Sequence, residues 1–467
     1  MKLRHRFLWV AALVILLAPI GVFAEDIVIT NSEKTRLAGE LLTDVMDLLM
    51  ERFVGEEITP EYLYESALRG MMGSLDPYSQ YLTTDEVNQL QKSFSGKMYA
   101  IGISLESSDK NGPIISNVIK DSPAEKSGLA KGDILLEVNN KEIKGLTLDS
   151  VLSIIGESDI VVLKIQRGME TFVKSIEKQE IRILTVASAP FENLIEEAKK
   201  RDNDTLRYII ITEFGSETDS EFGETISKLR DQGVKSIVLD LRGNPGGYAD
   251  SVVKVCNRIV PKGTIMYTVD KQGNKVEIAS KLEEAPFEKI VVLIDHATAS
   301  ASEVLASALQ DSKAAVLVGE ATFGKGVIQS LYPLPVGGAL KFTTEEYLRR
   351  NGEKIDKIGV IPDITITMPG LITDSVLLDK NNSSETLPLV REVLTYLDYK
   401  LAPVSDARVY DSSMIEAVKR FQRDAGIEVN GELDAATLIQ LNFALYLVYN
   451  ETDKPLETAY QILREGM

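Results

Sequence analysis

The sequence is short of the residues that most often organise reactive sites. One cysteine, Cys256, stands in 467 residues, so no disulfide forms within the chain. It lies in the apolar run 252–260, where a thiol packs into a core rather than reacts. Histidine occurs twice, as His5 and His296. His5 sits in an N-terminal leader, so a metal site built from several histidines is excluded and no metal is expected. Long apolar runs are also missing: the longest, 8–23, falls short of the roughly 20 residues that a spanning helix needs. Positive charge is in deficit, with 51 Lys and Arg against 70 Asp and Glu and a net charge of −19. Such a surface repels phosphate backbones and disfavours nucleic acid as a partner. Internal repeats and low-complexity tracts are absent.

What is there is a globular composition, 44% hydrophobic and 26% charged, in a chain long enough for about three or four domains. Residues 1–24 have the form of an export signal: basic Lys2, Arg4 and Arg6, the apolar stretch, then Val22-Phe23-Ala24 as a small-residue cleavage site. The segment is either removed after Ala24 or kept as an anchor. Both place the mature protein outside the cytoplasm. Residues 25–95 read as helical, with Leu37, Leu41, Leu42, Val45, Leu48 and Leu49 at helical spacing and a second helix from Pro60 that Asp76-Pro77 ends. This region is a packed lid or a dimerisation arm. Residues 96–180 alternate short strands around one helix at 148–155, with Gly128, Gly132 and Gly145 at the turns. Residues 181–370 alternate strands (208–212, 236–241, 289–294, 314–319) with helices (220–232, 302–311), the order of a parallel sheet covered by helices. Residues 371–395 read as a polar linker and 396–467 as a small helical unit, with helices at 409–425 and 434–445. The predicted fold class is α/β and multidomain.

Three segments of the α/β part carry chemistry. Arg242-Gly243-Asn244-Pro245-Gly246-Gly247 follows a buried strand, where ligands of α/β sheets bind. Its glycines allow either a tight turn or close approach of backbone donors to an oxyanion. Thr298-Ala299-Ser300-Ala301-Ser302-Glu303 lies between a strand and a helix. Ser300 and Glu303 fit a capping box, and a serine at a helix N-terminus also suits a nucleophile on which negative charge develops. Gly319-Glu320-Ala321-Thr322-Phe323-Gly324-Lys325-Gly326 nearly spells a phosphate-binding loop. Gly326 removes the hydroxyl that would hold magnesium, and the β-branched run after it is a poor helix start.

A serine needs a base. His296 is only four residues before Ser300, too local for the usual arrangement on separate elements, so a lysine is the next candidate. A lysine base must be neutral, which burial favours. Lys325 is the sole charged residue between 321 and 331, and Gln329 four positions on can orient an amine without raising its pKa.

These residues closely resemble the carboxy-terminal processing proteases, a tail-specific serine peptidase family (S41), in which a Gly-Gly turn, an Ala-Ser-Ala-Ser-Glu segment and a Gly-Lys followed by Gln recur, with serine and lysine 25 positions apart as here. The resemblance implies that Ser300 is the nucleophile, Lys325 the general base and Gln329 the residue that orients it. It also implies an oxyanion hole from the backbone N–H of Ala301 and of Gly246 or Gly247. Asp76-Pro77-Tyr78, Lys341-Phe342-Thr343-Thr344 and Gly359-Val360-Ile361-Pro362-Asp363 are similar to further family segments. Residues 96–180 resemble a PDZ domain, with Ile101-Gly102-Ile103 as its carboxylate loop, although the family often has glycine where Ala100 stands. Residues 417–437, including Phe421-Gln422, Gly426, Val429-Asn430-Gly431 and Thr437, resemble a peptidoglycan-binding module; a helical cap on the protease is the alternative. The implied protein is a helical arm, a PDZ domain, an α/β serine-protease core (181–370) and a C-terminal helical domain, cleaving proteins near their C-termini without a cofactor and pairing as a homodimer. Two rivals stand beside it: a non-catalytic PDZ scaffold tethered to the cell wall, and a nucleotide binder using 319–325.

Overall fold

The computed structural model describes residues 31–107, 112–373, 376 and 383–465. The leader, including His5 and Ala24, lies outside the described residues. Among the described residues no helix is long and apolar enough to cross a membrane. Two units are distinguished, one ending at Pro77 and one beginning at Tyr78. In the first, helices Asn31–Arg52 and Pro60–Gly73 form as the leucine spacing predicts, the second with Thr59 as its N-cap. Leu37, Leu41, Leu42, Val45 and Leu49 are exposed along the first helix.

The second unit is built on a six-stranded sheet in the order Val186–Ala189, Leu206–Ile211, Ser236–Asp240, Lys289–Ile294, Val316–Gly319, Ile364–Thr365. Only the first pairing is antiparallel. Both faces are covered, so the central strands are continuously apolar. Ile237, Leu239, Val292 and Ile294 point to one face, where helices Thr218–Asp231, Ala249–Ile259 and Ala301–Asp311 pack. Val238, Val291 and Leu293 point to the other, against Phe191, Leu456, Ala459, Tyr460 and Leu463.

That second face corrects the C-terminal boundary. The last helix, Lys454–Glu465, covers the sheet instead of joining the helical unit, with Leu456, Ala459, Tyr460 and Leu463 packed against it as one apolar stripe at i, i+3, i+4, i+7. Arg242 donates to both Asp240 and Asp453, at 2.6 and 2.8 Å, and fixes the helix's entry beside the glycine turn. The helical unit proper is Leu387–Tyr396, Ser412–Asp424 and Ala435–Glu451 around Leu387, Val390, Leu394, Phe421, Leu441 and Leu445. Its first helix lies within the stretch read as linker, which carries buried leucines and valines despite its polar flanks.

A second, antiparallel sheet packs beside the first. Its long strand Ala339–Leu348 pairs with Gln80–Leu82, Gly263–Asp270 and Val327–Pro333. Residues 80–82 are therefore a strand of this sheet and not part of a helical arm: Asp76-Pro77 breaks the helix, and Tyr81 and Leu82 are buried. Val327–Pro333 is a strand where a phosphate loop requires a helix, which removes the nucleotide reading. The small β module forms a sheet from Ile103–Glu106, Ile114–Val118, Ile134–Val138, Ile160–Arg167 and Glu170–Glu177, with helix Leu148–Gly156 against it. Strands Lys97–Ala100 and Gln179–Arg182 pair at its root, where the chain enters and leaves.

Candidate active site

The loops that follow strands Ser236–Asp240 and Lys289–Ile294 meet at the carboxyl ends of the sheet, and Asn244 locks them together. Its buried amide donates to Ile211 O (2.8 Å) and accepts from Gly246 N–H (2.9 Å), while its carbonyl accepts from Ala299 N–H (3.0 Å) and Ser302 Oγ (3.1 Å). Gly246 has φ +104, and a Cβ there would lie 2.8 Å from Ala299 O and 2.9 Å from Ser300 Cβ. Glycine at this position is what lets the turn touch the serine.

Ser300 begins helix Ala301–Asp311 at φ 57, ψ −117, a positive φ that a residue with a side chain adopts only when its surroundings enforce it. The enforcing group is Glu303, which is fully buried. Its carboxylate accepts Ser300 N–H (2.7 Å), Lys325 N–H (2.9 Å), Gly324 N–H (2.8 Å) and the Thr322 hydroxyl (2.5 Å). The Glu303 half of the capping box read from Ser300 and Glu303 is thus present, while the Ser300 side chain makes no cap hydrogen bond, and the same carboxylate ties the backbone of Ser300 to that of Lys325. On the carbonyl side, the buried Tyr347 hydroxyl is in donor reach of Ser300 O (3.0 Å) and Lys325 O (2.5 Å). Burial, with the charges of Glu303 and Asp356, holds the Tyr347 phenol well above its ordinary pKa, so it stays a donor. Two residues, one on each side, bracket both members of the candidate dyad. Sequence reasoning missed Tyr347 altogether and saw only the capping role of Glu303.

Ser300, Ala301, Gly246, Gly247, Lys325 and Gln329 all line one cleft of about 440 Å³. Leu90, Phe94, Val252, Met266, Val304 and Val327 supply apolar wall. Lys325 Nζ lies 4.8 Å from the centre of the Tyr78 ring. Gln329 donates to Thr343 Oγ1 at 3.2 Å. The two glycines differ: Gly246 N–H is committed to Asn244, so Gly247 is the one whose donor is open for a ligand beside Ala301 N–H, at the first helical position, where no intrahelical acceptor exists. A larger hollow of about 650 Å³, lined by Arg230, Asp231 and Arg258, holds none of these residues. His296 is exposed, with Nδ1 3.4 Å from Glu320, and is not in the cleft lining. Cys256 is fully buried in the core, which pushes its thiol far up.

Ile101-Gly102-Ile103 lies in the small β module, outside this cleft. Gly102 has φ +88 and abuts Ser122, and the carbonyls of Ile101 and Gly102 accept from Ala124 N–H (2.8 Å) and Ile119 N–H (3.0 Å).

Chemically, a serine at a helix N-terminus, an amine in the same largely apolar cleft and two backbone donors across from it form the parts of an acyl-transfer site. Comparison with known proteins shows a serine-type peptidase. Family models match for peptidase family S41 over residues 205–366, a PDZ domain over 89–166 and a peptidoglycan binding domain over 383–441. A "Probable CtpA-like serine protease" of Staphylococcus epidermidis is 30% identical, over 93% of this chain and 89% of that protein. A protein of the same description from Staphylococcus haemolyticus is 33% identical, over 85% of this chain and 79% of its own length. Among solved structures, a photosystem II D1 C-terminal processing protease is 28% identical with a TM-score of 0.43, covering 71% of this chain and 88% of that one.

Proposed function

The chain belongs to peptidase family S41, among its CtpA-like serine proteases, and from that membership we propose that it cleaves polypeptides near their carboxyl ends with Ser300 as nucleophile and Lys325 as general base. The observation that carries the reading is the shared anchoring of the two residues: Glu303 holds both backbone N–H groups and the one Tyr347 hydroxyl is in donor reach of both carbonyls. Preorganisation of this kind is what a proton transfer between two side chains requires. In the reaction, Lys325 in its amine form takes the Ser300 proton as Oγ attacks the scissile carbonyl. Charge on the carbonyl oxygen is met by Ala301 and Gly247 N–H. The ammonium then protonates the leaving amine, and water, deprotonated by the same lysine, hydrolyses the acyl-enzyme. Gln329 orients the amine without adding charge.

The PDZ domain supplies recognition of a substrate C-terminus, with Ile101-Gly102-Ile103 presenting backbone donors to its carboxylate. The peptidoglycan-binding domain and the basic-then-apolar N-terminus support action outside the cytoplasm, near the cell wall. The exposed stripe of Leu37, Leu41, Val45 and Leu49 supports pairing with a second copy through helix Asn31–Arg52. Turnover of casein by the purified protein and by Ser300→Ala tests the reading. Cleavage that disappears in the variant supports it, and equal cleavage by both refutes it.

A further inference from the structure

The cleft contains a second lysine with no assigned task. We propose that Lys341 is the residue through which the cleft recognises a carboxylate on its substrate, a few residues from the scissile bond; the inference rests on the peptidase reading above.

Position comes first. Lys341 stands on strand Ala339–Leu348 opposite Leu331, and Thr343, two residues on, stands opposite Gln329. Directly opposed residues share a face, and so do residues two apart. Lys341, Leu331, Thr343 and Gln329 are therefore on one face, and the Tyr332–Phe342 ring stack, centroids 4.9 Å apart, occupies the other. Lys341, Leu331 and Gln329 all line the cleft that holds Ser300. Lys341 is one diagonal step from Gln329, about 7–8 Å. Extended peptide rises about 3.3 Å per residue, so the carboxylate it would meet lies about two residues along the bound peptide from the point opposite Gln329.

Charge comes second. The chain carries 70 acidic residues, yet the described lining of the cleft has none, only Lys325 and Lys341 as charged groups. Elsewhere on the same sheet Lys354 pairs with Glu346 at 2.8 Å, and nearby Lys262 pairs with Glu283 at 2.6 Å. Among the described residues Lys341 makes no ion pair. Burial pushes its amine below the ordinary range, and no carboxylate is near enough to oppose the shift. A half-buried cation without a partner is costly to keep for stability alone. The cost is recovered when an anion arrives with the substrate. Lys325 cannot serve that purpose, since as the base it must be neutral.

The test uses the full-length protein and one fluorogenic peptide sequence made in matched pairs: free C-terminus against amide, and Glu against Gln at each position flanking the scissile bond. The readout is the ratio of kcat/KM within each pair, so partial inactivity of a preparation cancels. The wild type is expected to favour the carboxylate member of at least one pair by about tenfold. In Lys341→Met that ratio falls to near one, and in Lys341→Arg it is restored. Loss confined to the Glu/Gln pairs identifies an acidic side chain as the ligand, and loss confined to the acid/amide pair identifies the chain terminus. A preference for the free terminus that survives in Lys341→Met belongs to the PDZ domain. The proposal is overturned if the wild type shows no preference in any pair, or if Lys341→Met keeps every wild-type ratio. A protein that cleaves neither these peptides nor casein overturns the peptidase reading instead.

Discussion

Replacing Glu303 by glutamine perturbs the centre of the site with almost no change in volume. In the folded protein Oε1 accepts the Thr322 hydroxyl and Gly324 N–H, and Oε2 accepts Ser300 N–H and Lys325 N–H. A glutamine keeps one oxygen. Whichever way its amide turns, an NH₂ group faces two donors that have lost their acceptor. The Thr322 oxygen accepts Val360 N–H at 2.7 Å, so accepting from the amide as well would use its second lone pair and still leave its O–H without the carboxylate acceptor. Hydrogen bonds to a charged group are worth about 1.5–3 kcal/mol each, and a buried donor left unsatisfied costs a similar amount. Two such losses amount to about 3–6 kcal/mol, a large share of a typical stability of about 5–15 kcal/mol. With the NH₂ group turned to Ser300 and Lys325 the strained φ of Ser300 relaxes, and a displacement of about 1 Å at a reacting group costs about 100-fold in rate. Urea unfolding followed by circular dichroism, with peptide turnover measured in the absence of urea, checks both numbers. A Glu303→Gln protein that unfolds within about 1 kcal/mol of wild type and turns over peptide at the wild-type rate refutes the claim that this carboxylate positions the dyad.

Tyr347→Phe removes one hydroxyl that reaches two carbonyls; kcat is expected to fall by about tenfold or more with KM little changed, whereas a merely structural tyrosine would lower stability and leave kcat of the folded fraction intact. In the PDZ domain, burial raises the Asp133 carboxyl, but hydrogen bonds from Arg167 and Ala130 N–H outweigh it and the net shift is downward. The folded pKa lies below the unfolded one, so this contribution is complete above about pH 4 and is lost as pH falls through the folded value. Asp133→Asn is expected to flatten the acid limb of the thermal-stability profile. Cys256 is fully buried with its thiol pushed far up; iodoacetamide at neutral pH should leave it unmodified in the folded protein and alkylate it in urea, as intact-mass measurement would record.

Much of the fold was legible because its signals are local. The alternation of strand and helix between 206 and 319 is carried by apolar runs bounded by glycine, such as Gly233 after helix Thr218–Asp231. The cleft residues lie in short, dense motifs, so Ser300, Lys325 and Gln329 could be named together. What escaped was set by pairing between distant segments. Tyr347 is 47 positions from Ser300 and reads as an ordinary strand residue. Nothing in the sequence gives the bulge between Ile328 and Gln329 that sets its register. The second duty of Glu303 was hidden because a capping box explains the same Ser-x-x-Glu spacing. The stripe of Leu456, Ala459, Tyr460 and Leu463 is visible as a helix pattern, but a pattern does not say which surface it covers. Here that surface is the back of the protease sheet, so the helix after the peptidoglycan-binding unit is part of the core.

In the proposed reaction the Lys325 amine draws the proton from Ser300. Rapid mixing with an ester substrate, acid quenching and mass spectrometry of the digested protein measure it directly. An acyl adduct is expected on the peptide that contains Ser300, absent in Ser300→Ala and formed in Lys325→Met at a rate lower by at least about 100-fold. An adduct on another residue, or one that forms on Ser300 at the wild-type rate without Lys325, contradicts it.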